Sequence, residues 1–195
     1  MLHSIKKIIP KSWLSFYHWL IANWAAFYYG YPSEKFIVIG VTGTKGKTTT
    51  ANLIAQLLDL SGYKVGLTST AVMKINEREW LNDRKMTMLG RFALQKMLWR
   101  MARAGVKYAI IESSSEGVAQ FRNLGIHYDL MVFTNLSPEH IEAHGSYLAY
   151  RSTKGKLFNQ LKNSPVKIIG GKRIAKAVVL NGDDVESKYF SGFRA

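Results

Sequence analysis

The 195-residue chain contains no cysteine, so it has neither a disulfide framework nor a thiolate zinc site, and nothing argues for an oxidising compartment. A cytoplasmic setting fits. Acidic residues are also scarce: 13 Asp and Glu stand against 27 Lys and Arg, a formal net charge of +14. From Ala143 to Gly182 there is no acid at all, while eight basic residues from Arg151 to Lys176 fall there. This excess implies anionic partners such as nucleotides, acidic precursors, nucleic acid or a lipid surface. No zinc-finger, RRM or KH signature is present, so a solvated basic face is favoured and no nucleic-acid partner is expected. Internal repeats and low-complexity segments are missing too. With 47% hydrophobic residues, the length suffices for one good core and a small appendage.

Residues 12–33 carry no formal charge and follow Lys6, Lys7 and Lys11. They are crowded with Trp13, Phe16, Tyr17, Trp19, Trp24, Phe27, Tyr28, Tyr29 and Tyr31. About 20 apolar residues would span a bilayer, but Ser15, His18 and Asn23 interrupt this stretch, and dense aromatics prefer an interface to the hydrocarbon centre. No small-residue cleavage site marks a secretory signal. Three arrangements remain open, in order of preference: a helix packed on its own domain or a partner, peripheral membrane contact, and a span. Pro32 sets the boundary, because it disfavours a helical Tyr31. The domain reading is therefore 1–34, an aromatic helical segment, and 35–195, a nucleotide-binding domain.

What is present centres on Val41-Thr42-Gly43-Thr44-Lys45-Gly46-Lys47-Thr48-Thr49-Thr50, directly behind the apolar run Phe36–Gly40. Strand, glycine-containing turn and helix start form the arrangement that cradles nucleotide phosphates. Gly43 and Gly46 let backbone N–H groups approach phosphate oxygens, Lys47 supplies a point charge, and the Thr48 hydroxyl suits magnesium. The full P-loop pattern would need glycine where Val41 stands.

Short apolar runs then alternate with helical patterns. Strands are expected at Phe36–Val41, Val65–Thr68, Tyr108–Glu112, Leu130–Thr134 and Ala177–Leu180, and helices at Thr48–Leu60, Phe92–Arg103 and Tyr147–Leu161. Within Thr48–Leu60, Leu53, Ile54, Leu57 and Leu58 recur at helical spacing. This is an α/β chain with a mainly parallel sheet, helices on both faces, and ligands at the carboxyl ends of the strands. Glu112 closes an apolar strand, where its carboxylate would organise magnesium beside the phosphate loop.

The stretch Val38–Phe158 resembles the central ATPase domain of the Mur ligases, the muramyl-peptide (UDP-N-acetylmuramoyl-tripeptide) synthetases above all. The family patterns GTNGKTT, EVSSHGLxQxR, FTNLSxDH and HGxxxxYxxAKxxLF answer in order to Gly43–Thr49, Glu112–Arg122, Phe133–His140 and His144–Phe158. Asn181-Gly182-Asp183-Asp184 resembles the family's late N-x-D-D. The resemblance implies an ATP- and Mg2+-dependent ligase of peptidoglycan precursor synthesis. It would join an amino acid to a UDP-N-acetylmuramoyl-peptide through an acyl phosphate. Gly43, Thr44, Lys45, Gly46, Lys47, Thr48 and Thr49 would hold the phosphates, and Asn135 would meet adenine. Thr48, Glu112, His140 and a carbamylated Lys154 would serve magnesium, with Lys47, Glu112, His140 and Lys154 as the catalytic set. Thr87, Ser114, Gln120 and Arg122 would contact the muramyl peptide.

This chain departs from the patterns at Lys45 (usually Asn), Glu116 (usually His) and Glu139 (usually Asp), and Thr87 stands alone where two adjacent threonines are common. The family's uridine-gripping and amino-acid-binding domains have no counterpart, so the expectation is a truncated chain whose C-terminal half is supplied in cis or in trans. Alone, it would bind Mg-ATP weakly and form no peptide bond. The alternatives are a non-catalytic ATP-binding module and a folylpolyglutamate-synthetase-like ligase.

Overall fold

A computed structural model describes residues 11–84, 86–139 and 145–193. Helix α1 (Lys11–Tyr28) and a 3-10 turn (Pro32–Lys35) lead into β1 (Ile37–Thr42) and α2 (Lys47–Leu60). There follow β2 (Val65–Thr68), β3 (Val72–Ile75), β4 (Arg78–Leu81), α3 (Arg91–Arg103), β5 (Tyr108–Glu112), α4 (Ser115–Ala119) and β6 (Leu130–Phe133). The chain continues through α5 (Tyr147–Asn163), β7 (Ile168–Ile169), β8 (Lys172–Arg173), β9 (Ala177–Leu180) and α6 (Ser187–Ser191).

The main sheet runs β4-β3-β2-β5-β1-β6-β9, parallel from β2 to β9, with β3 and β4 added antiparallel at one edge. Its central strands are apolar on both faces because helices cover both. Val38, Ala109, Ile111, Met131 and Phe133 face one cluster with Leu98, Tyr150 and Phe158. Their alternates Ile39, Val41, Ile110 and Val132 face the other, against Ala51 and Ala55 of α2. In α2 the small residues take the sheet, and Leu53 and Leu57 point outward. Of the four apolar residues at helical spacing, Ile54 and Leu58 pack beside Ala51 and Ala55 against this cluster, so the period locates the helix and half of its inner face.

Two hairpins escaped the strand expectations. β3–β4 turns through Asn76, whose φ is 53°, and its polar residues mask the alternation; β7–β8 turns through Gly170-Gly171, both at positive φ.

α1 docks on α3 through Ala22, Ala25 and Ala26, all buried, with Trp24 edge-on to Phe92 at 5.3 Å. Close approach needs Gly125, whose φ is +73° and whose added Cβ would lie 2.2 Å from Ala26 Cβ. Gly125→Val is expected to lower the unfolding free energy by about 3 kcal/mol, through overpacking and left-handed strain together. Urea titration checks this. Tyr31 at φ 49° and Pro32 then end the helical segment. No described helix is long and apolar enough to cross a membrane.

Candidate functional site

Parallel pairing aligns the carboxyl ends of β2, β5, β1 and β6, with Val41 opposite Glu112 and Thr42 opposite Phe133. The loop Gly43–Gly46 leaves β1 at this edge, and Gly46, at φ 76°, caps α2 with no side-chain hydrogen bond to the first turn. Its orphan N–H groups and positive dipole end are thereby open to an anion. Gly43 is tightly enclosed: an added Cβ would lie 1.9 Å from Thr134 Oγ1.

The loop is held from two sides. From the β6 side, Thr134 Oγ1 donates to Lys45 O at 2.7 Å, and the Asn135 side chain both accepts from Lys45 N at 2.9 Å and donates to Lys45 O at 3.0 Å. Asn135 is therefore occupied with the loop, leaving one Nδ2 hydrogen for any base. Asn181 and Asp184 of the late motif brace the same segment, through Thr134 O and Leu136 N, both at 2.8 Å. From α5, Tyr150 Oη meets Thr44 Oγ1 at 3.1 Å, and Lys154 Nζ, one turn on, donates to Gly43 O at 2.8 Å.

Lys47 Nζ folds back onto Thr44 O at 2.8 Å. Burial lowers its pKa, and Glu112 pulls the other way. Exposed Lys45 pairs with Glu139 at 2.7 Å, so two of the departures from the family pattern contact each other. Thr49 is exposed on the first turn of α2.

Glu112 is buried and accepts three hydrogen bonds. Thr48 Oγ1 and Thr70 Oγ1 donate to Oε1, both at 3.0 Å, and Thr70 N donates to Oε2 at 2.7 Å. Thr70 Oγ1 also contacts Thr87 Oγ1 at 3.0 Å. The phosphate loop and the Thr87 segment are thus joined through one carboxylate. Thr70 was missed from the sequence; its one signal is its place just beyond β2.

The remaining predicted residues gather beyond Glu112. Ser114 caps α4 by accepting from Gly117 N at 3.1 Å. Gln120 donates to Glu116 Oε1 at 3.0 Å and accepts from Arg122 at 2.7 Å, and Arg122 also donates to Met88 O at 2.7 Å, next to Thr87. Arg91, unforeseen, donates to Gln120 O. His140, His144 and Lys85 lie outside the described residues.

Lys154 is fully buried, and desolvation, reinforced by the Lys47 charge, lowers its pKa to about 7. Because the unfolded lysine keeps its proton to about pH 10.5 and the folded one does not, the unfolded state binds more protons between these values and stability rises with pH. Lys154→Met is expected to flatten that rise by on the order of 1 kcal/mol per pH unit between pH 7 and 9. Urea unfolding at stepped pH measures it.

Hard oxygen donors at Thr48 and Glu112, beside open N–H groups, fit magnesium and a nucleotide phosphate chain. Among the described residues no cluster of three His, Asp or Glu forms a metal cage of its own.

Residues 41–192 match the Mur ligase middle domain. A UDP-N-acetylmuramyl-tripeptide synthetase of Roseiflexus sp. (strain RS-1) is 38% identical over 174 residues, which cover 87% of this chain and 34% of that protein. A UDP-N-acetylmuramoyl-L-alanyl-D-glutamate--2,6-diaminopimelate ligase of Geobacillus thermodenitrificans (strain NG80-2) is 39% identical over 170 residues, 86% of this chain and 33% of that protein. The solved structure of a ligase of the latter name superposes with a TM-score of 0.67 at 30% identity, covering 82% of this chain and 29% of that one. A Mycobacterium tuberculosis folylpolyglutamate synthase complexed with ADP and AMPPCP shares the fold at TM-score 0.62 and 16% identity, covering 89% of this chain and 44% of that one. The chain spans about a third of the length of the curated relatives it matches. With the middle-domain match covering most of its length, the chain belongs to the Mur ligase family.

Proposed function

We propose that the chain is the ATP-binding part of a cytoplasmic ligase that joins an amino acid to a UDP-N-acetylmuramoyl-peptide in peptidoglycan precursor synthesis. Residues 35–195 form the nucleotide-binding domain in this reading and residues 1–34 an appended helical segment. The observation that carries it is the hydrogen-bonded series Thr48–Glu112–Thr70–Thr87, which ties the phosphate loop to the segment assigned to the acceptor substrate.

In this reading the amides of Gly46, Lys47 and Thr48 hold the β- and γ-phosphates, those of Thr44 and Lys45 being held by Asn135, and Lys47 leaves Thr44 O to meet them. Thr87, Ser114, Gln120 and Arg122 orient the muramyl-peptide carboxylate, with Arg122 opposing its charge. A carboxylate oxygen attacks the γ-phosphorus and the bond to the ADP oxygen breaks. The amino acid's amine then attacks the acyl carbon, phosphate leaves, and the amine's proton passes to solvent or a base. Thr48, Glu112, His140 and a carbamate on Lys154 would hold magnesium, which would neutralise charge on the transferring phosphoryl group. Lys154 suits carbamate formation, since a pKa near 7 leaves a large neutral fraction to attack CO2, with release of one proton. Nuclear magnetic resonance with 13C-bicarbonate is expected to show one carbamate carbon, absent in Lys154→Ala; an unchanged spectrum in that variant overturns the assignment.

Titration calorimetry tests the whole reading. A non-hydrolysable ATP analogue should bind in a magnesium-dependent way, about 100-fold more weakly in Lys47→Ala, because a charge-assisted phosphate contact is lost. UDP-N-acetylmuramoyl-L-alanyl-D-glutamate should bind in an Arg122-dependent way and a folate monoglutamate should not. Preference for the folate, or no nucleotide binding, would overturn the assignment.

A further inference from the structure

Helix α1 is inverted relative to a helix that merely covers its own domain. Its inward stripe is Ala22, Ala25 and Ala26, whereas Trp13, Phe16, Tyr17, Leu20, Trp24, Phe27 and Tyr28 recur at three- and four-residue steps along the opposite side. Trp13, Phe16 and Phe27 are 73, 61 and 70% exposed. Single exposed apolar side chains are ordinary, but a continuous face of this size marks a docking surface.

The chemistry around that face identifies what it meets. Phe92 and Trp99 extend it onto α3, through Trp24 and Tyr29, and the Arg103 guanidinium lies 4.9 Å over the Trp99 ring. Lys96, Arg100 and Arg103 are the exposed residues of α3. Neither α1 nor α3 contains an Asp or Glu, and in the sequence Lys6 and Lys7 precede α1, whose first residue is Lys11. Aromatic rings with polar edges, carried together with cations on two helices that hold no acid, match the headgroup zone of an anionic bilayer, where rings sit at the boundary and lysine and arginine meet phosphates. We propose that the chain attaches peripherally to an anionic phospholipid surface, with α1 lying in the interface plane and the α3 cations on the headgroups.

Co-sedimentation of the 195-residue chain with vesicles tests this. Vesicles of phosphatidylglycerol and phosphatidylcholine are expected to bind it at least about 10-fold more strongly than phosphatidylcholine alone, and brominated acyl chains to quench its tryptophan fluorescence. Trp13→Ser/Phe16→Ser/Phe27→Ser should lose binding about 10-fold at an unchanged thermal midpoint and unchanged nucleotide affinity, because all three side chains face outward. Arg100→Gln/Arg103→Gln should reduce the preference for phosphatidylglycerol and retain the quenching. The proposal is overturned by recovery in the supernatant with both vesicle types, by a triple-serine variant that binds like the parent, or by a dimer that hides the face and ignores vesicles.

Discussion

Gly43→Ala is expected to abolish nucleotide binding and to lower the unfolding free energy by about 3 kcal/mol, the sum of overpacking and backbone strain. The added methyl would fall 1.9 Å from Thr134 Oγ1 and 3.0 Å from both Asn135 N and Asn135 O. Thr134 cannot simply swing aside, because its hydroxyl holds Lys45 O. The phosphate loop and the segment after β6 must therefore part, breaking the Asn135 clamp and turning the loop amides off their common target. Thr134→Ala in the same chain removes the nearer clash and leaves the backbone ones, so it should restore about half of the lost stability and little of the nucleotide affinity. A double-mutant cycle by urea unfolding and calorimetry reads the coupling. Additive effects of the two substitutions would show that the contact does not hold the loop.

That contact also marks where sequence reading stops. Glycine in the loop was legible because strand, turn and helix start follow one another along the chain. The reason Gly43 tolerates no side chain lies 91 residues away, in Thr134, and depends on β6 being the neighbour of β1. Most strands could be placed from their apolar runs, since parallel strands buried on both faces read as continuous hydrophobic segments. The β3–β4 hairpin could not, because Lys74, Arg78 and Glu79 break its apolar residues into runs too short to read as strands. Thr70 was invisible for the same reason as the Gly43 clash: its value comes from β2 lying beside β5, and strand order is not written locally. Asn135 shows the converse. A residue that the resemblance assigns to adenine also makes two hydrogen bonds to the Lys45 backbone, which no spacing rule announces. In α1 the composition announced a helix, but only packing reveals that alanine, not tryptophan, faces the domain.

Glu112→Gln should separate the carboxylate's charge from its shape. The side chain is buried, with Oε2 accepting from Thr70 N and Oε1 from two threonine hydroxyls. Glutamine can keep its oxygen toward Thr70 N and offer its NH2 group to the hydroxyls, which rotate to accept, so the fold should lose only about 1 kcal/mol. Glu112→Leu strands the Thr70 N–H and both hydroxyls and should cost about 3 kcal/mol. Nucleotide binding should divide differently. With magnesium, the glutamine variant is expected to bind the ATP analogue about 100-fold more weakly, equivalent to about 2.7 kcal/mol, because the anionic oxygen that helps hold the cation is gone. Without magnesium the sign reverses: removing a negative charge beside the phosphate loop should tighten binding of the bare nucleotide, which Lys47 then attracts unopposed. A purely structural glutamate would weaken both forms alike. Calorimetry with and without EDTA therefore distinguishes the two roles, and parallel losses in both buffers would remove Glu112 from the metal site.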